Sequence, residues 1–183
     1  SDALGGKDIY SGSKGAAELI IKSYYNSFFK DPSKSNVRLV STRAGNVIGG
    51  GDWADYRIVP DCIKAWRNGE SVEIRSPKAT RPWQHVLEPL SGYLAVAVKL
   101  YKDVKFNGDS FNFGPHSEYT KTVHELLKDL SKYWDLNQEP SYFSENLSEF
   151  HEAGLLKLNC DKALFCLKWL PTLDYNKLIE FTS

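Results

Sequence analysis

The sequence predicts an α/β fold, in which strands and helices alternate along the chain. Three observations support this prediction: short β-prone runs, longer stretches in which apolar residues recur with helical spacing, and glycine- or proline-containing turns between them. Such alternation is typical of domains built from a sheet covered by helices. The 183 residues suffice for one domain with a sizeable core, or for part of a larger one.

The first predicted helix covers residues 14–29 and is apolar around much of its circumference. Its large apolar side chains cannot all lie on one stripe of about 100°. We therefore expect two buried faces, one against a sheet and one against a partner helix, although a core helix of one large domain would show the same pattern. These side chains are Leu19, Ile20, Ile21, Tyr24, Tyr25, Phe28 and Phe29.

The remaining elements are separated by turn signals. One of the helices shows regular spacing through Val123, Leu126 and Leu130. In chain order, the predicted elements are strand 37–42, glycine-rich turn 45–51, helix 59–68, strand 72–75, helix 87–102, strand 110–113, helix 122–134 and two closing helices, 160–167 and 175–181.

Composition argues against several classes of function. Lysine and arginine total 23 against 23 acidic residues, with no basic block, so neither nucleic acid nor a membrane surface is an expected partner. Cys62, Cys160 and Cys166 form no CxxC pair, which predicts reduced thiols in a cytoplasmic protein. No apolar run reaches the length of a membrane span, and no signal peptide is expected. The four histidines lack metal-ligand spacing, so we expect no metal site.

The most informative pair is Tyr10 and Lys14, four residues apart near the start of the chain. On a helix this spacing places two side chains on one face, about 5–6 Å apart at Cβ. An ammonium group beside a phenol stabilises the phenolate and so makes a usable general base. The small residues between them would let a ligand approach the backbone. The spacing also arises by chance, as Tyr101 and Lys105 show, and a surface helix pair is an equal alternative.

Two further segments carry groups that suit a phosphorylated ligand. The turn 45–51 matches neither a phosphate loop nor GxGxxG, but Asn46 follows a strand, where open α/β sheets bind ligands. A flexible turn is an equal alternative there. The planar guanidinium of Arg81 could bind two diphosphate oxygens at once. Arg57 and Arg75 lie in flanking segments, and ordinary surface arginines are the alternative.

Five stretches together carry a family resemblance. They are YSGSK (10–14), RAGNVIGGGDW (43–53), RPWQHVLEPLSGY (81–93), FNFGP (111–115) and LKLNCDKA (156–163). Together they resemble the CDP-glucose 4,6-dehydratases, which belong to the extended short-chain dehydrogenase/reductase superfamily. The resemblance runs nearly end to end, and the second and third stretches are the specific ones.

The resemblance implies the rear part of a Rossmann-type parallel sheet plus a small α/β substrate-binding subdomain. Residues 1–55 would form the rear portion of the NAD-binding domain, and 56–183 mainly the nucleotide-sugar-binding subdomain, with interleaved Rossmann segments. Family members have about as many residues again before this segment, including the glycine-rich NAD loop, an acidic ribose-binding residue and a Thr-Asp-Lys segment. We therefore expect the chain to be inactive alone and the full-length enzyme to be a homodimer.

The sequence departs from the family pattern at two positions. Ile9 stands where the family has proline before the tyrosine, and Lys168 stands where the closing Gly-Trp pair has glycine. Both departures look tolerable for the fold, and they weaken the resemblance little.

The implied activity is NAD-dependent dehydration of CDP-glucose to CDP-4-dehydro-6-deoxy-glucose, a lyase step in deoxysugar biosynthesis of the lipopolysaccharide O-antigen type. Two alternatives stay open: a non-catalytic sugar-nucleotide-binding remnant, and another extended reductase such as a nucleotide-sugar epimerase. The implied site residues are Tyr10 and Lys14 for catalysis and NAD binding, Asn46, Arg57 and Arg81 for the nucleotide diphosphate, Arg75 for the base pocket, and His151 and Glu152 for a late loop that closes over the diphosphate.

Overall fold

The computed structural model describes residues 4–74, 76–116, 120–134, 142–143 and 158–183. Its helices are α1 (Ile9–Tyr24), α2 (Ile58–Asn68), α3 (Leu87–Lys102), α4 (Val123–Ser131) and α5 (Tyr175–Thr182). Shorter helical turns are Tyr25–Phe29, Val104–Phe106 and Ala163–Leu167. The strands are β1 (Ser41–Ala44), β2 (Val47–Ile48), β3 (Val72–Glu73), β4 (Thr80–Arg81), β5 (Gln84–His85), β6 (Ser110–Phe113), β7 (Lys121–Thr122) and β8 (Tyr142–Phe143).

The strands pair two by two. β1 lies parallel to β6, in a register that joins Ser41 to Ser110 and Ala44 to Phe113. β2 is parallel to β5 and β3 is parallel to β8, whereas β4 and β7 are antiparallel. Parallel strands need a crossover connection, usually a helix. The β1–β6 and β2–β5 pairs therefore confirm the α/β fold that the sequence predicts.

The β1–β6 pair has α1 on one face and α3 on the other. Successive side chains of a strand point to opposite faces, and Ser41 and Arg43 both bind Glu18 of α1. Phe113 instead packs against Gly92 of α3, where an added Cβ would lie 2.3 Å from the phenyl ring. Glycine is therefore required at position 92 for this close approach.

Buried apolar side chains form two clusters. The first, called here the α2–α4 core, joins α2, α4 and α5 and consists of Val59, Cys62, Trp66, Ile74, Trp83, Val123, Leu126, Leu127, Leu130, Leu178 and Ile179. The second, the α3 core, lies between α3 and β6 and consists of Val96, Leu100, Phe106, Phe111, Phe113, Ala163 and Trp169.

Most predicted elements in the second half of the chain are confirmed. The helix at 87–102 and the strand at 110–113 have the bounds that the structure shows. The helix predicted over 122–134 is shorter, because Thr122 caps α4 in a reciprocal capping box with Glu125 and the helix ends at Ser131. The closing helices are present as well, one of them reduced to the turn Ala163–Leu167 preceded by two helical residues.

Several predictions in the first half of the chain are wrong in their bounds, including the strand predicted over 72–75, which covers Val72–Glu73. The first helix begins at Ile9, not at residue 14, because Asp8 caps it by accepting from the Ser11 backbone N–H. The first strand covers Ser41–Ala44 and not 37–42, since the N–H of Leu39 donates to the Asn107 side chain (2.7 Å) instead of a strand neighbour. The turn 45–51 contains β2, which pairs with β5.

The two faces of α1 differ in how the chain covers them. Within α1 only Gly15 is buried, and the face that carries Glu18 contacts β1. The opposite side presents an apolar stripe to solvent, with more than half of each side chain exposed. This stripe, called here the α1 stripe, consists of Leu19, Ile20, Tyr24 and Phe28. One face of α1 therefore contacts a strand of this chain, as predicted. The partner helix predicted for the other face stays a prediction.

Lys168 shows the cost of a departure from the family pattern. It has φ 57° and caps the Ala163–Leu167 turn in the left-handed conformation. Glycine adopts this conformation without steric strain, whereas a residue with a Cβ pays roughly 1–2 kcal/mol. Glycine would therefore be favoured at this position, and the lysine is tolerated at a modest cost in stability.

Candidate functional site

The candidate site lies at the carboxyl ends of β1 and β6, where three segments are tied together by hydrogen bonds. The N–H of Gln84 donates to the carbonyl of Asn46 (3.0 Å), which joins β5 to the loop after β1. The side-chain Nε2 of Gln84 donates to the carbonyl of Phe113 (3.0 Å), the last residue of β6. Open α/β sheets bind ligands at such an edge. The structure thus places Asn46 where the sequence predicts it.

Gly45 allows the loop before Asn46 to approach the segment after β4. An added Cβ at Gly45 would lie 2.9 Å from Cγ and 3.0 Å from the carbonyl oxygen of Pro82. Contacts this short leave no room for any side chain at position 45. The glycine therefore serves a specific backbone approach beside the site, which resolves part of the ambiguity in the turn 45–51.

Arg57 presents a cation immediately before α2. Its Nη1 lies 3.0 Å from Oδ2 of Asp52, and its side chain is 64% exposed. The N–H of Ala54 and the Arg57 guanidinium hold the pKa of Asp52 below its usual value. Since the pair is open to solvent, its Coulomb energy is small. An anionic ligand could therefore compete with Asp52 for the arginine.

Arg81 lies in β4, two residues before Trp83, which belongs to the α2–α4 core. Its Nη1 donates to the carbonyl of Thr80 (2.9 Å), and β4 pairs with β7 through Arg81 and Lys121. Trp83, two residues later, is buried and donates through Nε1 to the carbonyl of Lys121 (3.2 Å). The segment that carries Arg81 is therefore held from two sides, as a residue that orients a diphosphate would need.

Tyr10 and Lys14 lie in the first two turns of α1, on one face as predicted. The Nζ of Lys14 is 5.4 Å from the centroid of the Tyr10 ring, within the range of a cation–π contact. Tyr10 is 71% exposed, so its hydroxyl is open to a ligand. Ser13 donates to the Tyr10 carbonyl (2.7 Å) inside the same turn. The ammonium and the phenol ring are therefore neighbours on one exposed face of the helix.

Glu18 anchors the helix that carries this pair. It accepts from Nε (2.7 Å) and Nη2 (2.8 Å) of Arg43 and from Oγ of Ser41 (2.6 Å). The Arg43 hydrogen bonds hold the pKa of Glu18 below its usual value. A bidentate arginine–carboxylate pair fixes both distance and orientation. The structure thus connects α1 to β1, the strand that ends next to Asn46.

Three predicted site residues cannot be placed. Arg75, His151 and Glu152 lie outside the described residues. Their roles stay predictions from the resemblance.

Sequence reasoning missed the buried polar residues behind the site. His85 is buried, its Nδ1 accepts from the N–H of Leu87 (3.3 Å), and its ring meets the Phe181 ring edge to face with centroids 5.7 Å apart. Burial lowers its pKa below the usual value, so the neutral ring is favoured. Glu88 is buried as well and accepts from the N–H of Thr172 (2.9 Å). A charged residue in the first turn of an otherwise apolar helix was the available signal for Glu88.

Cysteines, metals and membrane spans add little to the site. All three cysteines are free, and burial raises the pKa of the Cys62 thiol to about 12. Across the described ranges, no group of three or more histidine, cysteine or acidic side chains could hold a metal ion. In the same part of the chain, no helix is both long and apolar enough to cross a bilayer.

Comparisons with known proteins support the resemblance. The chain is 44% identical over 173 residues to CDP-glucose 4,6-dehydratase of Salmonella typhimurium, a match that covers 93% of this chain and 48% of that protein. The chain thus spans about half the length of the curated relative it matches. No protein-family model matches the chain.

Solved structures support the fold. dTDP-glucose 4,6-dehydratase of Bacillus anthracis, in complex with NAD, matches with a TM-score of 0.72 and 20% identity, over 96% of this chain and 51% of that one. UDP-glucose 4-epimerase of Thermotoga maritima, with UDP-glucose, matches with a TM-score of 0.69 and 20% identity, over 94% of this chain and 51% of that one. The resemblance is therefore confirmed: the chain is similar to CDP-glucose 4,6-dehydratase over nearly its whole length, and its fold matches those of the solved nucleotide-sugar dehydratase and epimerase.

Proposed function

We propose that this chain binds CDP-glucose and takes part in its NAD-dependent dehydration to CDP-4-dehydro-6-deoxy-glucose. The observation that carries the proposal is the joining of Asn46, β5 and the end of β6 into one edge, with the segment after Arg81 packed against it at Gly45. The 44% identity to a CDP-glucose 4,6-dehydratase supports the choice of the cytidine sugar among nucleotide sugars. Arg57 and Arg81 would bind the diphosphate, Arg75 the base, and His151 and Glu152 the closing side of the site.

The proposed chemistry assigns Tyr10 the removal of the proton from the C4 hydroxyl of the sugar. Lys14, whose Nζ lies 5.4 Å from the Tyr10 ring centroid, would stabilise the Tyr10 phenolate that accepts this proton, leaving a neutral phenol after the transfer, and would contact the ribose of the cofactor. NAD+ would supply the hydride acceptor for this step. The residues present could bind only part of such a cofactor. The Tyr10 hydroxyl and the Lys14 ammonium lie at an exposed helix start. The 183 residues contain no GxGxxG loop, which would bind the dinucleotide phosphates.

For that reason the chain by itself should not turn over CDP-glucose. With purified chain, NAD+ and CDP-glucose, we expect no 4-keto sugar above a no-protein control. Formation of the 4-keto product by the chain would contradict this expectation and would assign cofactor binding to residues within the 183.

Binding of CDP-glucose can be tested without turnover. Titration calorimetry should show a CDP-glucose affinity that dTDP-glucose and UDP-glucose do not match. Replacing Arg57 by alanine should weaken binding about tenfold or more, since hydrogen bonds to charged groups contribute about 1.5–3 kcal/mol. Arg67, exposed in the last turn of the same helix, provides the matched control, and R67A should bind as the unsubstituted chain does. Equal binding of all three sugars would favour the epimerase alternative.

The setting of the activity is part of the proposal. We place it in deoxysugar biosynthesis of the lipopolysaccharide type in the cytoplasm, with a homodimer as the assembly of the full-length enzyme. The α1 stripe is the surface that supports the dimer, because it leaves apolar side chains of the Tyr10 helix open to solvent. A non-catalytic binding protein would show the same CDP-glucose affinity, and only product formation by a complete enzyme distinguishes it.

A further inference from the structure

Two buried oxygen atoms behind the site lack a hydrogen-bond partner among the described residues. They are Oε1 of Gln84 and Oε2 of Glu88, and each residue is only 3% exposed. A buried acceptor without a donor costs free energy, so native structures satisfy nearly all of them. Two such atoms, four residues apart at the junction of β5 and α3, point to a shared donor.

Neither oxygen can gain a donor by rotating its side chain. The Nε2 of Gln84 donates to the carbonyl of Phe113 (3.0 Å), and flipping the amide would bring two oxygens together there. The other oxygen of Glu88, Oε1, accepts from Thr172 N (2.9 Å), Thr172 Oγ1 (3.1 Å) and Leu173 N (2.5 Å). Both side chains are therefore fixed by their other hydrogen bonds.

The two residues line one small cavity together with mostly apolar side chains. Its remaining lining includes Trp83, Pro115 and Leu173, and the room open to the centre of a water-sized sphere is about 10 Å³. A hard cation would need about six oxygen ligands, which this lining does not offer. A water molecule needs space of this order and two to four polar partners.

We propose that one water molecule binds in this cavity and donates one hydrogen bond to Oε1 of Gln84 and one to Oε2 of Glu88. Water is the smallest molecule with two donors, and it satisfies both acceptors at once. The bridge joins β5 and α3 to residues 172–173, which lead into α5. Because the Gln84 N–H also holds the Asn46 carbonyl, the same water stiffens the back of the candidate site.

A crystal structure of the chain at about 1.5 Å resolution tests the proposal directly. One ordered density peak should lie within hydrogen-bond distance, about 2.5–3.0 Å, of both oxygens. The proposal is overturned by a cavity without density, or by a direct contact between the two oxygens, which would require a proton on Glu88.

A double-mutant cycle tests the same bridge in solution. Gln84→Met and Glu88→Gln each alter one end, so their shifts in urea midpoint should be strongly non-additive if both act through one water. The matched control is Asn107→Leu, which removes a side-chain amide that bonds the backbone of Leu39 and Phe29 and is not among the residues that line the cavity. Asn107→Leu and Glu88→Gln should be additive. Additive shifts for the first pair would contradict the bridge, and if a variant does not fold, the crystal structure decides.

Discussion

The α2–α4 core and helix α1 differ sharply in how well the chain buries them. In the core, Leu126 and Leu127 are fully buried, and Trp66 stacks near Trp134 with ring centroids 6.1 Å apart. In α1, Leu19 is 57% exposed although it is equally apolar. The region proposed to bind the sugar nucleotide thus buries its apolar side chains within this chain. The helix that carries the proposed base is held by few contacts. Substitutions in the core should therefore change the free energy of unfolding more than substitutions in α1.

The contacts that hold α1 are mainly polar. Besides the Glu18–Arg43 pair, the Asn107 side chain donates to the carbonyl of Phe29 (3.1 Å) at the helix end. Tyr25 packs on Gly108, where an added Cβ would lie 2.4 Å from the ring. Such contacts fix orientation but bury little apolar area, so they contribute less to stability than the core does.

The largest expected effect compares the same substitution in the two regions. Leu127→Ala should lower the free energy of unfolding by about 2–5 kcal/mol, because it leaves a cavity in the core. Leu19→Ala, on the exposed side of α1, should change it by about 0.5 kcal/mol or less. Urea unfolding followed by far-ultraviolet circular dichroism measures both. Similar losses for the two variants would mean that α1 is packed as tightly as the core.

The next effect concerns the anchor of α1. Glu18→Gln should weaken the attachment of the helix by about 1 kcal/mol, a value reduced because the Arg43 side chain is 37% exposed. Amide hydrogen exchange within α1 measures it. Glu180→Gln, which removes a surface ion pair with Lys177, is the matched control and should change exchange little. Unchanged α1 exchange in the Glu18 variant would show that other contacts hold the helix.

The same pair predicts a pH dependence. The pKa of Glu18 is lowered in the folded chain, so its contribution is complete above the unfolded value of 4.5 and is lost as the pH falls through the folded value. The protection factors of α1 amides, that is, their intrinsic exchange rates at each pH divided by the observed rates, should therefore fall below about pH 4.5. In Glu18→Gln this component should be absent, and its persistence would assign the effect to another carboxylate.

A smaller dependence of stability on pH is expected from the buried residue His85. Burial lowers the pKa of His85, so the unfolded chain binds its proton first, and stability should decline as the pH falls below the unfolded value of 6.5. The urea midpoint between pH 7.5 and 5.5 measures this decline. His85→Gln should flatten the dependence, whereas the exposed His124→Gln should leave it in place. A flat profile in the unsubstituted chain would contradict the assignment.

Substitutions in the α1 stripe should have the smallest effect on the free energy of unfolding but a measurable effect on self-association. Ile20→Lys should reduce self-association in sedimentation while the monomer's free energy of unfolding changes by about 0.5 kcal/mol or less. Leu94→Lys, on the exposed side of α3, is the comparison variant. A monodisperse monomer at high concentration of the unsubstituted chain would contradict the expected association.

Local patterns explain which parts of the fold could be predicted. The regular apolar spacing of α3 and α4 and the turn after Phe113 define those elements within the chain itself. The Glu18–Arg43 pair spans 25 residues and the Gln84–Phe113 contact spans 29, and no local pattern reports either. Asn46, Arg57 and Arg81 were predicted as site residues from strand ends, charge and the family resemblance, and their roles stay predictions. Gln84 and Glu88 were not, because their importance follows from burial, which only the folded chain shows.

Hydrogen exchange of the chain, measured peptide by peptide with and without CDP-glucose, tests the central contrast most directly. Backbone amides in α2, α4 and β6 should exchange slowly and those in α1 quickly, and CDP-glucose should slow exchange around Asn46, Arg57 and Arg81 more than in α1. Uniformly fast exchange with no response to CDP-glucose would contradict a self-sufficient binding region. Exchange in α1 as slow as in α4 would contradict the dependence of the helix on further partners.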